Sequence, residues 1–326
     1  MEDNVLLVGE PMGLFIANEP GPLDEVGSYD FSVAGAEFNV AVGLTRLGHR
    51  ASFLTKLGPD PFGDRILKLM EREGIATDQV LRTEGRPTGF MLKSQVVTGD
   101  PQIYYYRKGS AASTLCSQDL VGLDLSRCGL VHITGISAAL SDSCRAAMLD
   151  LAGRAHDAGA LVSFDSNLRP QLWASEELMR DVTNELACLA DVFLPGINEC
   201  RVLVGTDDPE KAAAWYLERG CRLVVIKLGA QGAYYADAQG RSGVVPGFVV
   251  EKVVDTVGAG DGFAAGVISG LLEGLPVPEA VERGCAVGAV QVTVRGDNDG
   301  LPTREELASF MASRPRCSDA APREVA

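Results

Sequence analysis

The chain has 326 residues, 46% of them apolar and 22% charged, enough for one large α/β domain or two smaller ones with a sizeable core. Its 29 basic and 44 acidic residues leave a net charge of −15, which disfavours nucleic acid as a partner and requires any anionic ligand to be met by local arginines. No apolar run is long enough to cross a bilayer, so no membrane role is expected. The eight cysteines are scattered without a C-x-x-C pair and there are only three histidines. That pattern argues against zinc and a disulfide framework, and for a reducing cytoplasm.

In chain order, residues 5–8 form a strand-like run with no basic segment and apolar stretch before it, so no export signal is read there. Residues 36–47 read as a helix stopped by Gly48, residues 51–57 as a strand, and residues 61–73 as a helix stopped by Gly74. Short apolar or β-branched runs recur at 130–134, 161–164, 192–194 and 223–228 with helical stretches between them. This alternation predicts an α/β fold with a mostly parallel sheet and helices on both faces. Residues 15–31 and 88–106 break the rhythm: strand-like runs follow one another through glycine and proline turns. They predict a small antiparallel β lid, from about 11–34 and 88–112, able to cover a ligand and exclude water. Gly262, Gly266 and Gly270 recur every four residues, which predicts a helix packed closely on a neighbour. The stretch 313–326 is rich in Pro, Arg, Ser and Ala without periodicity and is expected to be disordered.

The run Asp255-Thr256-Val257-Gly258-Ala259-Gly260-Asp261-Gly262-Phe263 carries the clearest chemistry. Gly258, Ala259 and Gly260 have almost no side chain, so their N–H groups can converge on a phosphate where the chain turns into a helix, and the helix dipole adds to the attraction. Asp261, in the first turn, is placed to take a proton from a hydroxyl beside that phosphate. Taken alone, the same run also reads as a loop with Asp261 as an ordinary helix cap. A dinucleotide fingerprint fits less well, because it belongs after the first strand and needs glycine where Phe263 stands.

Together with the segment Gly35-Ala36-Glu37-Phe38-Asn39-Val40-Ala41, this run resembles the PfkB/ribokinase family of carbohydrate kinases over residues 4 to about 312. The resemblance implies a ribokinase-like fold in one kinase domain, 1–312, with ATP as donor, Mg2+, and Asp261 as catalytic base assisted by Gly258, Ala259 and Gly260. The stretches 104–113 and 164–173 look like those of 2-keto-3-deoxygluconate kinases, implying transfer to the terminal (6-) hydroxyl of that sugar acid. A fructokinase or other neutral-sugar kinase is the alternative within the family, and a non-catalytic sugar-acid binding protein the alternative outside it.

Arginine suits a planar carboxylate. Tyr105 and Arg107 share one face of a strand, and Arg169 follows a strand end, the usual binding position in an α/β sheet; either arginine alone also reads as a solvated surface residue. With them the resemblance assigns Gly35, Ala36, Asn39 and Asp261 to the sugar. Phe90 is either an apolar wall over the sugar or part of the core. The nucleotide side is assigned Asn198, Lys227, Gly229, Gly232, Gly258 and Gly260. The positions of Asp255, Val257 and Gly296 match where relatives hold a monovalent cation such as K+; carbonyl ligands leave no side-chain signature. Relatives also carry an Asn-x-x-Glu motif near magnesium, whereas Asn198-Glu199-Cys200-Arg201 places an arginine, which binds no metal, where the glutamate is expected. Either Glu199 substitutes or magnesium is held mostly by the ATP phosphates and water, and its protein ligands are left open. The resemblance also implies a homo-oligomer.

Overall fold

Short apolar strands buried on both faces build the centre of the protein, as parallel strands covered by helices must be. The computed structural model describes residues 4–95 and 101–317. Its strands are β1 (Asn4–Val8), β2 (Met12–Pro20), β3 (Tyr29–Ala34), β4 (Arg50–Leu57), β5 (Val80–Arg82), β6 (Phe90–Gln95), β7 (Ile103–Tyr106), β8 (Leu130–Thr134), β9 (Leu161–Asp165), β10 (Val192–Phe193), β11 (Leu223–Lys227), β12 (Gly232–Asp237) and β13 (Ser242–Pro246). The main sheet runs β13-β12-β11-β10-β9-β8-β1-β4-β5, parallel from β11 to β5 and antiparallel at β12 and β13. One apolar core lies under the helices Ala36–Arg46, Ala259–Leu272 and Val277–Gln291, the other under Asp142–Asp157 and Glu176–Leu189. The strand order reverses at β1, whose neighbours are β4 on one side and β8 on the other. A crevice therefore opens beyond the carboxyl ends of these strands.

The lid is a second sheet, β3-β2-β6-β7. Its outer pairs are antiparallel, but β2 and β6 at its centre run parallel. The two are not consecutive: the chain passes through the body, by way of β4 and β5, and re-enters the lid in the same direction. Met12, Leu14, Ile16 and Met91 form a small core on the inner lid face, with Ile103 and Tyr105 packed on it.

The expected disorder from Ser313 does not hold for 313–317. Ser313 ends the helix Arg304–Ser313, Pro315 O accepts from Val249 N, Cys317 N donates to Gly247 O, and the Arg316 guanidinium lies 3.7 Å from the Phe248 ring centroid. Cation–π stacking thus anchors a stretch that composition alone reads as free. Residues 318–326 lie outside the described residues.

The glycine stripe does pack a helix against its neighbour. A Cβ added at Gly266 would stand 2.7 Å from Arg283 O and from Gly284 Cα, both backbone atoms of the helix Val277–Gln291. Gly266→Val has to push the two helices apart. It is expected to destabilise the protein by about 1–3 kcal/mol in urea unfolding; unchanged stability would show that the seam is loosely packed.

Candidate active site

The crevice holds a pocket of about 490 Å3, lined from the body by the ends of β1, β9 and β11 and roofed by Met12, Met91, Ile103 and Tyr105 of the lid. Its floor is the start of the helix Ala259–Leu272. Gly258 caps this helix in the left-handed region, with φ of 79°, and a Cβ there would meet Asp297 O at 2.0 Å, so only glycine fits. The first-turn amides of a helix have no partner within it, which leaves an electropositive cradle lined by Gly258 and Gly260.

Asp261 sits in that turn. Its Oδ2 accepts from Asn39 Nδ2 at 2.7 Å and its Oδ1 from Asn167 Nδ2 at 3.4 Å. Asn167 is the one non-glycine residue among those described with positive φ, at 36°, a strained conformation at the point where its amide meets the carboxylate. Loss of water raises the Asp261 carboxyl most, and the charge of Asp165 raises it further. The Asn39 hydrogen bond, Arg169 and Lys227 oppose this, and the pKa settles at about 7. A carboxyl tuned this way is half ionised near neutrality and can both take and release a proton.

Three cations line the pocket, and two are committed to acids. Lys227 Nζ, at the end of β11, lies 2.6 Å from Asp165 Oδ2. Arg107 Nε donates to Glu10 Oε2 at 2.7 Å, with its guanidinium 5.7 Å from the Tyr105 ring centroid; its two Nη groups take no hydrogen-bond partner among the described residues. Arg169 spends Nη1 on its neighbour's carbonyl, Leu168 O, and makes no ion pair among the described residues. A substrate carboxylate would find both guanidinium groups with donors to spare.

Most of the expected site residues meet here: Gly35, Ala36, Asn39, Tyr105, Arg107, Arg169, Lys227, Gly258, Gly260 and Asp261 all line the pocket. Phe90 does not, which corrects its placement over the sugar. In register with Tyr106 rather than Tyr105, it lies on the lid face turned away from the pocket, stacked on Tyr106 at 4.7 Å and against Phe62 at 5.4 Å. Met91 takes the inward position. Asn198 is exposed, and Gly229 and Gly232 bound the turn between β11 and β12; none of the three lines the pocket. Ala259 belongs to the cradle's first turn without lining the pocket.

The acidic motif is also corrected. On the helix Ile197–Val204, Arg201 points to solvent and pairs with Asp207, while Glu199, three residues after Gly196, lines the pocket. Two residues turn a helix by about 200°, so reading the motif two places late exchanges its inner and outer faces. Glu199 is held by Ser166 Oγ, Leu168 N and Gly196 N, each at 2.7 Å. Such a fixed carboxylate suits a magnesium ion that keeps its waters and binds chiefly to nucleotide phosphates. No cluster of three or more His, Cys, Asp or Glu side chains able to hold a metal exists among the described residues.

At the residues expected to hold a monovalent cation, a lysine and an amide meet the oxygens. Lys93 Nζ contacts Asp255 Oδ2 at 2.7 Å, and Gln291 Nε2 donates to both Val257 O and Gly296 O. Sequence reasoning missed Lys93, Glu10, Asp165 and Glu37. The last is buried against Thr134 Oγ1 and Ser137 Oγ at 2.6 Å each. Burial raises the Glu37 carboxyl above its ordinary pKa despite those hydrogen bonds. For Glu10 and Asp165, the available signal was their position at or just after strands flanking the crevice.

This fold and this site define a carbohydrate kinase. The family profile described as pfkB family carbohydrate kinase matches residues 2–304, and the chain belongs to that family. It is 47% identical over 315 residues to a 2-dehydro-3-deoxygluconokinase of Bacillus subtilis, covering 96% of this chain and 97% of that one. A protein of the same name from Thermoproteus tenax is 35% identical, with 94% of each chain covered. Among solved structures, a PfkB protein from a Polaromonas species is 46% identical with a TM-score of 0.86, covering 94% of this chain and 99% of that one. A ribokinase II from E. coli, in complex with ATP and Mg2+, has 28% identity and a TM-score of 0.86 (95% and 99% covered). A fructokinase double mutant from Vibrio cholerae, bound to fructose, ADP and a potassium ion, has 26% identity and a TM-score of 0.83 (95% and 98% covered).

The tuning of Asp261 has a consequence for stability. Its folded-state pKa of about 7 lies above the ordinary 3.8, so folding binds a proton between those values. The stability this group contributes is complete below pH 3.8 and is lost as pH rises through 7. Asp261→Asn removes that dependence. The variant should gain stability over the wild type between pH 5 and pH 7 and level off above. The gain should be on the order of 1–3 kcal/mol, since one pKa unit is worth about 1.4 kcal/mol and water in the open pocket screens part of it. Thermal unfolding across pH 5–8 measures it; a gain that shrinks with pH would contradict the raised pKa.

Proposed function

We propose that this protein transfers the γ-phosphoryl group of ATP to the terminal (6-) hydroxyl of 2-keto-3-deoxygluconate, also called 2-dehydro-3-deoxygluconate. The observation that carries the reading is Arg169, a pocket guanidinium with no ion pair among the described residues, whose charge acts on Asp261. A neutral sugar has no use for that charge, whereas a sugar acid does. The identity to relatives that bear this activity in their names supports the same choice.

In this reading the substrate carboxylate lies against Arg169 and the Nη groups of Arg107, with Tyr105 beside them. Its terminal hydroxyl then faces Asp261. As the hydroxyl oxygen bonds to the γ-phosphorus and the β–γ bridge bond breaks, the proton passes to Asp261 and ADP leaves. The amides of the cradle at Gly258–Gly260 meet the charge on the phosphoryl oxygens. Magnesium, when bound, neutralises charge on the ATP phosphates, and Glu199 would hold it through its waters. Lys227 stands at the carboxyl end of β11, and this reading assigns it to the nucleotide. The lid covers the pocket and keeps water from competing with the sugar.

The reading extends to a cytoplasmic homo-oligomer. All eight cysteines are free, and Tyr104 and Tyr106, each 53% exposed, project from the lid face turned away from the pocket.

Coupled ADP release with ATP and Mg2+ tests the assignment, comparing 2-keto-3-deoxygluconate, fructose, ribose and adenosine. The sugar acid should be strongly preferred. Turnover with fructose alone would overturn the substrate, and sugar-acid binding without ADP release would make the chain a binding protein. With the sugar acid, kcat/KM should climb with pH through about 7, as Asp261 ionises in the free enzyme. Asp261→Asn should lower kcat on the order of 10² to 10⁴ while sparing ATP binding. Arg169→Ala should lower kcat/KM for the sugar acid roughly 10- to 100-fold, the worth of a charged hydrogen bond, with ATP affinity unchanged.

A further inference from the structure

We propose that this chain carries its own cation beside the phosphate cradle: the ammonium of Lys93, with the side-chain amide of Gln291, takes the place of a soluble monovalent cation. The loop 255–258 leads directly into the cradle, and its shape depends on what satisfies the oxygens around it. Lys93 Nζ lies 2.7 Å from Asp255 Oδ2 and 2.9 Å from Asp297 Oδ1, and all three side chains are buried. Gln291, fully buried, donates from Nε2 to Gly296 O at 2.7 Å and to Val257 O at 3.3 Å. A cation bridging those two carbonyls would need the space this nitrogen fills. The amide is turned this way at a cost, since Gln291 Oε1 is buried without a hydrogen-bond partner. Asp255 also accepts from Val257 N and Gly296 N, so the same carboxylate shapes both segments.

The ammonium stays charged. Burial works against the charge on Lys93, but Asp297 and Asp255 outweigh it and raise its pKa above the ordinary value. Its effect reaches the cradle by contact, because Asp297 O is the atom against which Gly258 is packed. Lys93 is therefore a positioning residue, acting through the loop rather than on substrate. The cation is also tethered: Lys93 belongs to lid strand β6, two residues beyond Met91 of the pocket roof.

The inference rests on the ATP site proposed above, and the test separates the two. Full-length protein is prepared free of K+, with Tris salts of ATP, and compared in potassium, sodium and tetramethylammonium chloride at one ionic strength. Melting temperature, ATP–Mg2+ affinity by calorimetry and ADP release are measured in each salt. For the wild type, affinity and turnover should agree within about twofold across the salts and the melting temperature should show no potassium-specific rise. A gain of about tenfold or more with K+ alone, or a K+-specific rise in melting temperature, would overturn the proposal.

Lys93→Met should lose ATP affinity in tetramethylammonium and regain much of it with K+ or NH4+, a rescue that a merely structural lysine does not give. A folded Lys93→Met protein with wild-type affinity and turnover in every salt also overturns the proposal. Should two unpaired acids prevent folding, Lys93→Met combined with Asp297→Asn reads the same rescue with one charge fewer. If the wild type binds no ATP in any salt, the proposed function fails, while melting temperature still reads cation binding.

Discussion

One carboxylate, held where it resists ionising, organises the pocket. Asp261 lies in the first turn of a helix, where the dipole favours its charge, and among protein atoms that disfavour it. The amides that grip its two oxygens come from Asn39, 222 positions earlier in the chain, and Asn167, 94 positions earlier. Both must be present for the acid to have a defined direction, so the helix Ala36–Arg46 and the segment after β9 both fix it. The reversal of strand order at β1 brings those two segments to opposite walls of one crevice. Fold and site are thus joined at an atom pair rather than merely sharing a location.

Around that acid, the charged groups divide into those spent on the protein and those left over. Lys227 is neutralised by Asp165, and one edge of Arg107 by Glu10. Buried pairs of this kind add little net stability, because desolvation offsets their attraction; what they fix is geometry. The donors left without an acid among the described residues are the Nη groups of Arg107 and the head of Arg169, both lining the pocket with Asp261. A chain of net charge −15 can draw an anion only through such local exceptions.

What could be read from the sequence follows from the range of each physical signal. The cradle and Asp261 were legible because glycines and an acid at a helix start act within a few residues. Period-2 alternation put Tyr105 and Arg107 on one face, and they are on one face. Alternation does not say which face turns inward, and the lid has aromatics on both: Phe90 and Tyr106 outward, Tyr105 inward beside Met91. The side was decided by Phe62, a residue of the body that the Phe90 face packs against. Glu199 and Arg201 were exchanged by a two-residue slip that no local feature of the helix corrects. Glu10, Glu37 and Lys93 are charged residues in the interior, and their burial depends on partners 97 to 204 positions away. Composition treats such residues as solvated.

Lys93 and Arg107 also belong to one mechanical arrangement. Both are carried by the lid, and each is buried against an acid of the body: Arg107 on Glu10 after β1, Lys93 on Asp255 and Asp297 beside the cradle. Moving β6 away from the body would expose Asp255 and Asp297 to each other without the charge between them. Two buried like charges repel strongly, and the loop carrying Gly258 would be free to shift. Gly258 is packed so closely on Asp297 O that a Cβ there would stand 2.0 Å from it. The seated lid thus supplies the charge that lets these two acids stand together beside the first turn of the helix Ala259–Leu272.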